Sequence, residues 1–397
     1  MLAISLSACS SASTPVSTPI PPTTSPTAIP KPNEYIVIAQ LNLWYFGDGC
    51  YGGFEAYDCS GKRSTPLTPL LGKTYVSADQ AVIQQQIDWA ADYGIDAFSL
   101  EWTTPRGVGN SLENTIDDQF LKAPNLGRIR WCIFDDFVLR LEQTPGLGFN
   151  PAIGINFDDP AVTETFVSDF EHFAKKYFGE PTYLKIDNRP VVYLWNTWQY
   201  KGNVAGAVKA ARAAVAAQGY DVFITGDEVQ GQQFSSSHAA LWDAHTAFTF
   251  IMAGVPLKND IGEQAKTTDA VFKQWRKKIS GLKVAGRDET VNFQPGWAPQ
   301  FDNRMFDPSN SIYVPANSKD QVVAMATMAR DNAEPYGQDG SQLIWLNTFN
   351  NWAETTTVEP TANDGPKYPA GNYQFDLLEV VRDVFGPEVF PTLANTP

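Results

Sequence analysis

The sequence predicts one α/β domain of the (β/α)8 barrel type with long loops, spanning residues 34–397. From Glu34 onward, eight short apolar runs of strand type alternate with segments of helical period. That order belongs to a parallel sheet whose strands are joined by helices, and eight strands close such a sheet into a barrel. Nearly every run ends in an aromatic, amide or acidic residue, as expected where strand ends converge on one face and build a site. The alternative, a doubly wound open sheet, calls for a glycine-rich phosphate loop after the first strand, and Asn42-Leu43-Trp44-Tyr45-Phe46 contains no glycine. No internal repeat and no second linker divides the segment.

Taken in order, Tyr35 to Leu43 reads as the first strand and ends in Trp44 and Tyr45. Ser77-Ala78-Asp79 opens a helix to about Tyr93, with Val82, Ile83, Ile87, Trp89 and Ala90 on one face and Gly94 as its stop. Ile95 to Leu100 is the second strand, followed by Glu101 and Trp102, and Arg128 to Phe134 the third, followed by Asp135 and Asp136. A helix over about 159–177 buries Val162, Phe166, Phe170 and Phe173. Pro190 to Trp195 is the fourth strand, closed by Asn196 and Trp198. An alanine-rich helix over 204–218 precedes the fifth strand, Tyr220 to Thr225, which ends in Asp227 and Glu228. A weaker sixth strand falls within 241–250. The seventh, within 284–293, leads to Trp297, and the eighth, Leu343 to Phe349, opens into Asn350, Asn351, Trp352 and Glu354. Helices are expected at about 263–280, 319–332 and 375–384.

Composition narrows the function. A net charge of −15 argues against nucleic acid and anionic membrane surfaces as partners. Eleven Trp and fifteen Tyr are either interior filler or, for several of them, walls of a groove. Three His in the chain make a multi-His metal site unexpected, and neither metal nor cofactor is predicted. At the N-terminus, Leu6-Ser7-Ala8-Cys9 resembles a bacterial lipobox, so residues 1–9 are expected to be a lipoprotein signal segment with Cys9 lipidated. The segment has no charged n-region, which places the expected start of the signal upstream of Met1. Residues 10–33, almost wholly Ser, Thr, Pro and Ala, form a disordered tether. The expected location is the extracellular face of a bacterial membrane, lipid-anchored, or the medium, with the protein a monomer. Cys50 and Cys59 bracket a loop rich in Gly and Asp and are a candidate disulfide, and Cys132 in an apolar run is a buried thiol.

A groove of Trp, Tyr, carboxylates and amides with few basic groups suits a neutral oligo- or polysaccharide. Cleavage of a glycosidic bond needs one carboxyl to protonate the leaving oxygen and a second group to help form the new bond at the anomeric carbon. Glu354, Asp135, Asp136, Glu101 and Glu228 are the catalytic candidates. Asp135 and Asp136 cannot both face inward, because neighbouring strand residues alternate. Trp44, Tyr45, Trp102, Asn196, Trp198, Asp227, Trp297, Asn350, Asn351 and Trp352 are the substrate-binding candidates. Glu359, before Pro360, reads as a loop carboxylate.

The stretch Leu346-Asn-Thr-Phe-Asn-Asn-Trp-Ala-Glu-Thr-Thr-Thr-Val-Glu-Pro360 resembles the Asn-Glu-Trp-x-Glu-Gly-x-x-Ile/Leu-Glu signature of glycoside hydrolase family 99 and the related WbsX-like domains. Tyr75-Val-Ser-Ala-Asp79, Gly94-Ile95, Asp135-Asp136-Phe137 and Arg189-Pro-Val-Val-Tyr193 are similar to other family pieces in the same order. The resemblance implies a (β/α)8 barrel acting endo, with retention, on mannose-containing or related glycans. It also implies that Glu354 is the general acid and base. The family's other motif carboxylate, which assists the sugar 2-hydroxyl, corresponds to Asn351, an amide that accepts no proton. The function expected is therefore an exported glycoside hydrolase that uses another carboxylate beside Glu354. The alternative is a non-catalytic carbohydrate-binding lipoprotein on a degenerate barrel. A glycan-assembly transferase is the third class, with no nucleotide-phosphate motif visible to support it.

Overall fold

The computed structural model describes residues 35–46, 63–72, 75–108, 111–152, 154–229, 234–251, 255–369 and 371–386. Cys9, the tether and the Cys50–Cys59 pair lie outside the described residues.

The barrel strands are β1 Tyr35–Leu41, β2 Ala97–Trp102, β3 Arg130–Asp135, β4 Arg189–Leu194, β5 Phe223–Asp227 and β6 Ala244–Thr246. β7 comes in two pieces, Asn292–Phe293 and Gly296–Trp297, and β8 is Gln342–Leu346. Neighbours pair in parallel from β1 to β6, and β8 pairs with β1. The first piece of β7 pairs with β6 and the second with β8, so the ring closes through this one broken strand. Pro295 explains the break, since it has no N–H for the ladder, yet its carbonyl still accepts from Trp345 N at 3.0 Å. Gly296 is required there: a Cβ would sit 1.8 Å from the Ala247 carbonyl oxygen.

Nine helices are described: α1 Gln80–Asp92, α2 Glu113–Asp118, α3 Phe137–Glu142, α4 Pro160–Lys176, α5 Val204–Ala217, α6 Ser236–Ala239, α7 Ile261–Ile279, α8 Lys319–Asn332 and α9 Asp376–Phe385. α1 begins where Asp79 accepts from Ala81 N, and Gly94 follows its end in the left-handed region at φ 83°. The short helices α2 and α3 follow the strand ends and have no apolar period long enough to be seen in the sequence. Three strands also run one or two residues further than predicted, so Glu101, Trp102, Asp135 and Asp227 lie within strands and alternate in facing.

Side chains crossing the barrel identify its interior. Tyr193 of β4 packs edge-on against Trp345 of β8, diametrically opposite, at 4.7 Å between ring centroids, and stacks on Phe134 of β3 at 4.7 Å. Gln294 accepts from Thr225 of β5 at 3.0 Å and from Trp345 of β8 at 2.8 Å. The interior is a packed, hydrogen-bonded layer, not a pore. The outward strand faces meet the helices. Trp102 meets Phe173 of α4 edge-on at 4.7 Å, and Trp297 meets Phe385 of α9 at 5.8 Å. Both indoles are fully buried. Predicted as walls of a groove, they are instead core between sheet and helices, because a strand sends alternate residues to opposite faces. Cys132 is buried as expected.

Candidate active site

Facing can be counted along each strand from the interior layer. Glu101 stands level with Phe134 and therefore points inward. Asp227 lies two residues beyond Thr225 and also faces the axis. Its carboxylate accepts from Phe248 N at 2.8 Å and Asn196 N at 3.2 Å. Burial pushes Asp227 up to about 7 against those two donors. Glu101 has only burial and the nearby Asp136 charge acting on it, and both push it well above the usual carboxylate range. Half-buried Trp195 and Phe248, with ring centroids 6.0 Å apart, stand at this mouth over Phe134. Asn347 also belongs to it, its amide donating to the Phe248 carbonyl.

Asp135 and Asp136 divide as alternation requires. Asp136 caps α3, accepting from Leu139 N at 2.9 Å, and burial raises it to about 7. Asp135 pairs level with outward-facing Trp102 and points away from the axis. Neither of its oxygens has a hydrogen-bond partner among the described residues. Burial, then Asp169 and Asp136, push its pKa well up despite Arg140, and its outward facing places it under the helices and not at the mouth. Glu228, next to Asp227, likewise leaves the other side of the strand. It accepts from Thr197 Oγ1 at 2.9 Å, Trp242 Nε1 at 3.2 Å and His238 Nδ1 at 2.8 Å. The catalytic assignments of Asp135 and Glu228 are corrected on that geometry.

Beyond β8 the chain folds back as a tightly held strap. Asn350 is fully buried: its side chain accepts from Asn42 N at 2.8 Å and donates to Asn42 O at 3.0 Å. Tyr45 donates to the Asn350 carbonyl and accepts from Trp352 N at 3.4 Å. Tyr75 joins the strap to a buried acid. Its hydroxyl donates to Glu359 Oε2 at 2.8 Å while accepting from Trp352 Nε1 at 3.1 Å and Asn350 Nδ2 at 3.2 Å. Gln86 donates to the other Glu359 oxygen at 2.9 Å. Glu359 is thus no loop carboxylate but the buried anchor of the motif, raised by burial to about 7. Asn350, Trp352 and Tyr45, predicted to touch substrate, fasten the strap instead, and Trp44 packs beside Tyr45 almost fully buried.

The strap presents Glu354, half-buried. Asn351 Nδ2 donates to Glu354 Oε2 at 2.8 Å, and Asn351 Oδ1 accepts from Glu354 N at 3.2 Å. Burial raises Glu354 to about 7, with the Asn351 hydrogen bond pulling the other way. A carboxyl balanced near neutrality can both give and take a proton at physiological pH. Among the described residues no group of three or more His, Cys, Asp or Glu is arranged to hold a metal ion.

A family model described as "Glycosyltransferase WbsX" matches residues 161–370, more than half of the chain. The chain belongs to the WbsX family. Among solved structures, this WbsX chain is similar to a "Glycoside hydrolase-like protein" at 19% identity and a TM-score of 0.63, over 91% of this chain and 97% of that one. It is also similar to a family 99 endo-α-mannosidase from Bacteroides thetaiotaomicron at 16% identity and a TM-score of 0.60, over 88% of this chain and 96% of that one. These likenesses agree with the (β/α)8 fold. No curated protein matches the sequence.

Sequence reasoning missed Trp195, Phe248 and Asn347 at this mouth. The alternate aromatics of Tyr193-Leu194-Trp195 carried a signal, since same-face residues two apart share a destination. Phe248 carried none, because it lies beyond a strand of only three residues, Ala244–Thr246.

Proposed function

We propose that this WbsX chain cleaves glycosidic bonds in a neutral, mannose-containing or related glycan, with Glu354 as general acid and base. The observation that carries this is Glu354 itself: half-buried beyond β8, oriented by Asn351 and raised to about 7. In one half of the reaction its protonated form would give the proton to the leaving oxygen. In the other its carboxylate would take a proton from the attacking hydroxyl. The second carboxyl must work ionised, and Asp227 fits that need better than Glu101. Two backbone N–H groups favour its charged form, whereas Glu101 has no such donors. Asp227 would take the part that Asn351 cannot perform. Hydrolysis and transfer to a sugar hydroxyl differ only in the acceptor, which leaves room for the transferase in the family model's description.

The sequence alone supports an exported, lipid-anchored location through Cys9. Loss of lipid labelling in Cys9→Ser checks it.

Glu354→Gln keeps the shape and removes the proton. It should abolish release of reducing ends from α-mannan or another neutral polysaccharide while circular dichroism stays unchanged. Undiminished cleavage by this variant refutes the assignment. The second reading, a binding protein on the same barrel, is favoured by Asn351. It predicts glycan binding without turnover in the unmodified chain, and gain of cleavage in Asn351→Glu.

A further inference from the structure

A second concave site lies one strand end away from the mouth. Asp227 and Glu228 are consecutive, so their side chains leave β5 on opposite sides. Asp227 faces the axis, while Glu228 lines a cavity of about 440 Å³ beside the start of α5 and the short α6, a volume within the range of small-molecule sites. Trp198, Leu241 and Val204 give the cavity its apolar side, and Lys201, Ser235 and the Glu228–His238 pair its polar side.

One turn forms the wall between the two sites. Asn196, in the left-handed region at φ 55°, donates its N–H to Asp227, and Thr197 donates its hydroxyl to Glu228. The same Asn196 side chain accepts from Trp198 Nε1 at 3.1 Å, which pins the half-buried indole in place. Glu228 is more than nine-tenths buried yet lines the cavity. A carboxylate offers about four acceptor positions; among the described residues Thr197 and Trp242 occupy two on Oε2 and His238 one on Oε1, which leaves one on Oε1. Burial opposes charge on His238, but the hydrogen bond and charge of Glu228 outweigh it and raise its pKa. The hydrogen bond holds the two side chains as a fixed polar pair at the cavity wall.

An apolar wall facing a compact set of polar groups matches a pyranose ring, with its apolar C–H face and its rim of hydroxyls. Hydroxyl hydrogen bonds to a carboxylate are about twice as strong as neutral ones, and an indole offers a large rigid surface at little entropic cost. We propose that this cavity is a secondary sugar subsite. It holds one pyranose residue of the glycan whose bond is cleaved at the mouth, with Trp198 as the stacking wall and Glu228–His238 as the hydroxyl partners. The inference rests on the hydrolase reading of the mouth.

The test uses the full chain carrying Glu354→Gln and a panel of neutral oligosaccharides of two to six residues built from mannose, glucose or galactose, followed by titration calorimetry. Adding Trp198→Ala should weaken the longest bound oligosaccharide about ten-fold, equivalent to one stacking contact, and change the shortest less than about two-fold. Ser235→Ala, a milder change at the rim, should lower affinity in the same length-dependent direction. No binding by any member of the panel, or equal weakening at every length, overturns the subsite. Cleavage assays on the single variants separate the two ideas. Cleavage that survives Glu354→Gln refutes the mouth reading. Cleavage lost in Glu354→Gln, with no length dependence in Trp198→Ala, refutes only the subsite.

Discussion

Tyr75→Phe removes one oxygen and tests how the catalytic strap is held. The hydroxyl serves three partners: Glu359 Oε2, Trp352 Nε1 and Asn350 Nδ2. Asn350 Nδ2 keeps its bond to Asn42 O, so two buried groups lose their Tyr75 bond, the Trp352 indole N–H and Glu359 Oε2. An unsatisfied buried polar group costs about 1–3 kcal/mol, which gives about 2–6 kcal/mol for the substitution at pH 8. At pH 5 the penalty should be smaller. Glu359 is raised to about 7, so its carboxyl is already protonated there and no buried charge is left bare. Urea unfolding at the two pH values measures the difference, expected at about 1–2 kcal/mol. A loss below about 1 kcal/mol, or equal losses at both pH values, would show that Glu359 and Tyr75 do not anchor the strap. Because the strap carries Glu354, cleavage by Tyr75→Phe should fall as well, with its pH profile displaced relative to the unmodified chain.

The buried acids set an unusual pH dependence of stability. Asp136, Asp227, Glu354 and Glu359 are raised to about 7 in the fold but ionise near 4 when unfolded. The folded state therefore binds more protons between those values, and stability falls as pH rises through that window, by on the order of 3–4 kcal/mol per group. Glu113 and Asp243 are held below the usual range by their hydrogen bonds and cations, so stability also falls under about pH 4. Calorimetric Tm should peak near pH 5, and a maximum at pH 8 refutes the scheme. Trp297→Ala should destabilise the chain by about 3–5 kcal/mol in denaturant titrations, the usual cost of emptying a buried aromatic site. It should leave glycan affinity unchanged, since Trp297 packs on Phe385 and not at the mouth. Asp227→Asn should remove cleavage but retain glycan binding by calorimetry, whereas full cleavage by that variant assigns the second role elsewhere.

The order of strands and helices was legible in the sequence because it rests on local patterns: apolar runs, helical spacing, Asp79 before α1 and Gly94 after it. The motif around Glu354 was legible for the same reason, its residues lying within a few positions of one another. What the sequence left open was the facing of residues at strand ends. Asp135 or Asp136, Asp227 or Glu228, and the roles of Trp102 and Trp297 all turn on register, and shifting a strand end by one residue exchanges inside for outside. Glu359 looked like a loop acid because Tyr75 and Gln86, 284 and 273 positions away in sequence, are the partners that bury it. The residue type and the spacing of Glu354 came from the chain alone. Only the tertiary structure decided its proton affinity, because burial and the Asn351 amide act through space.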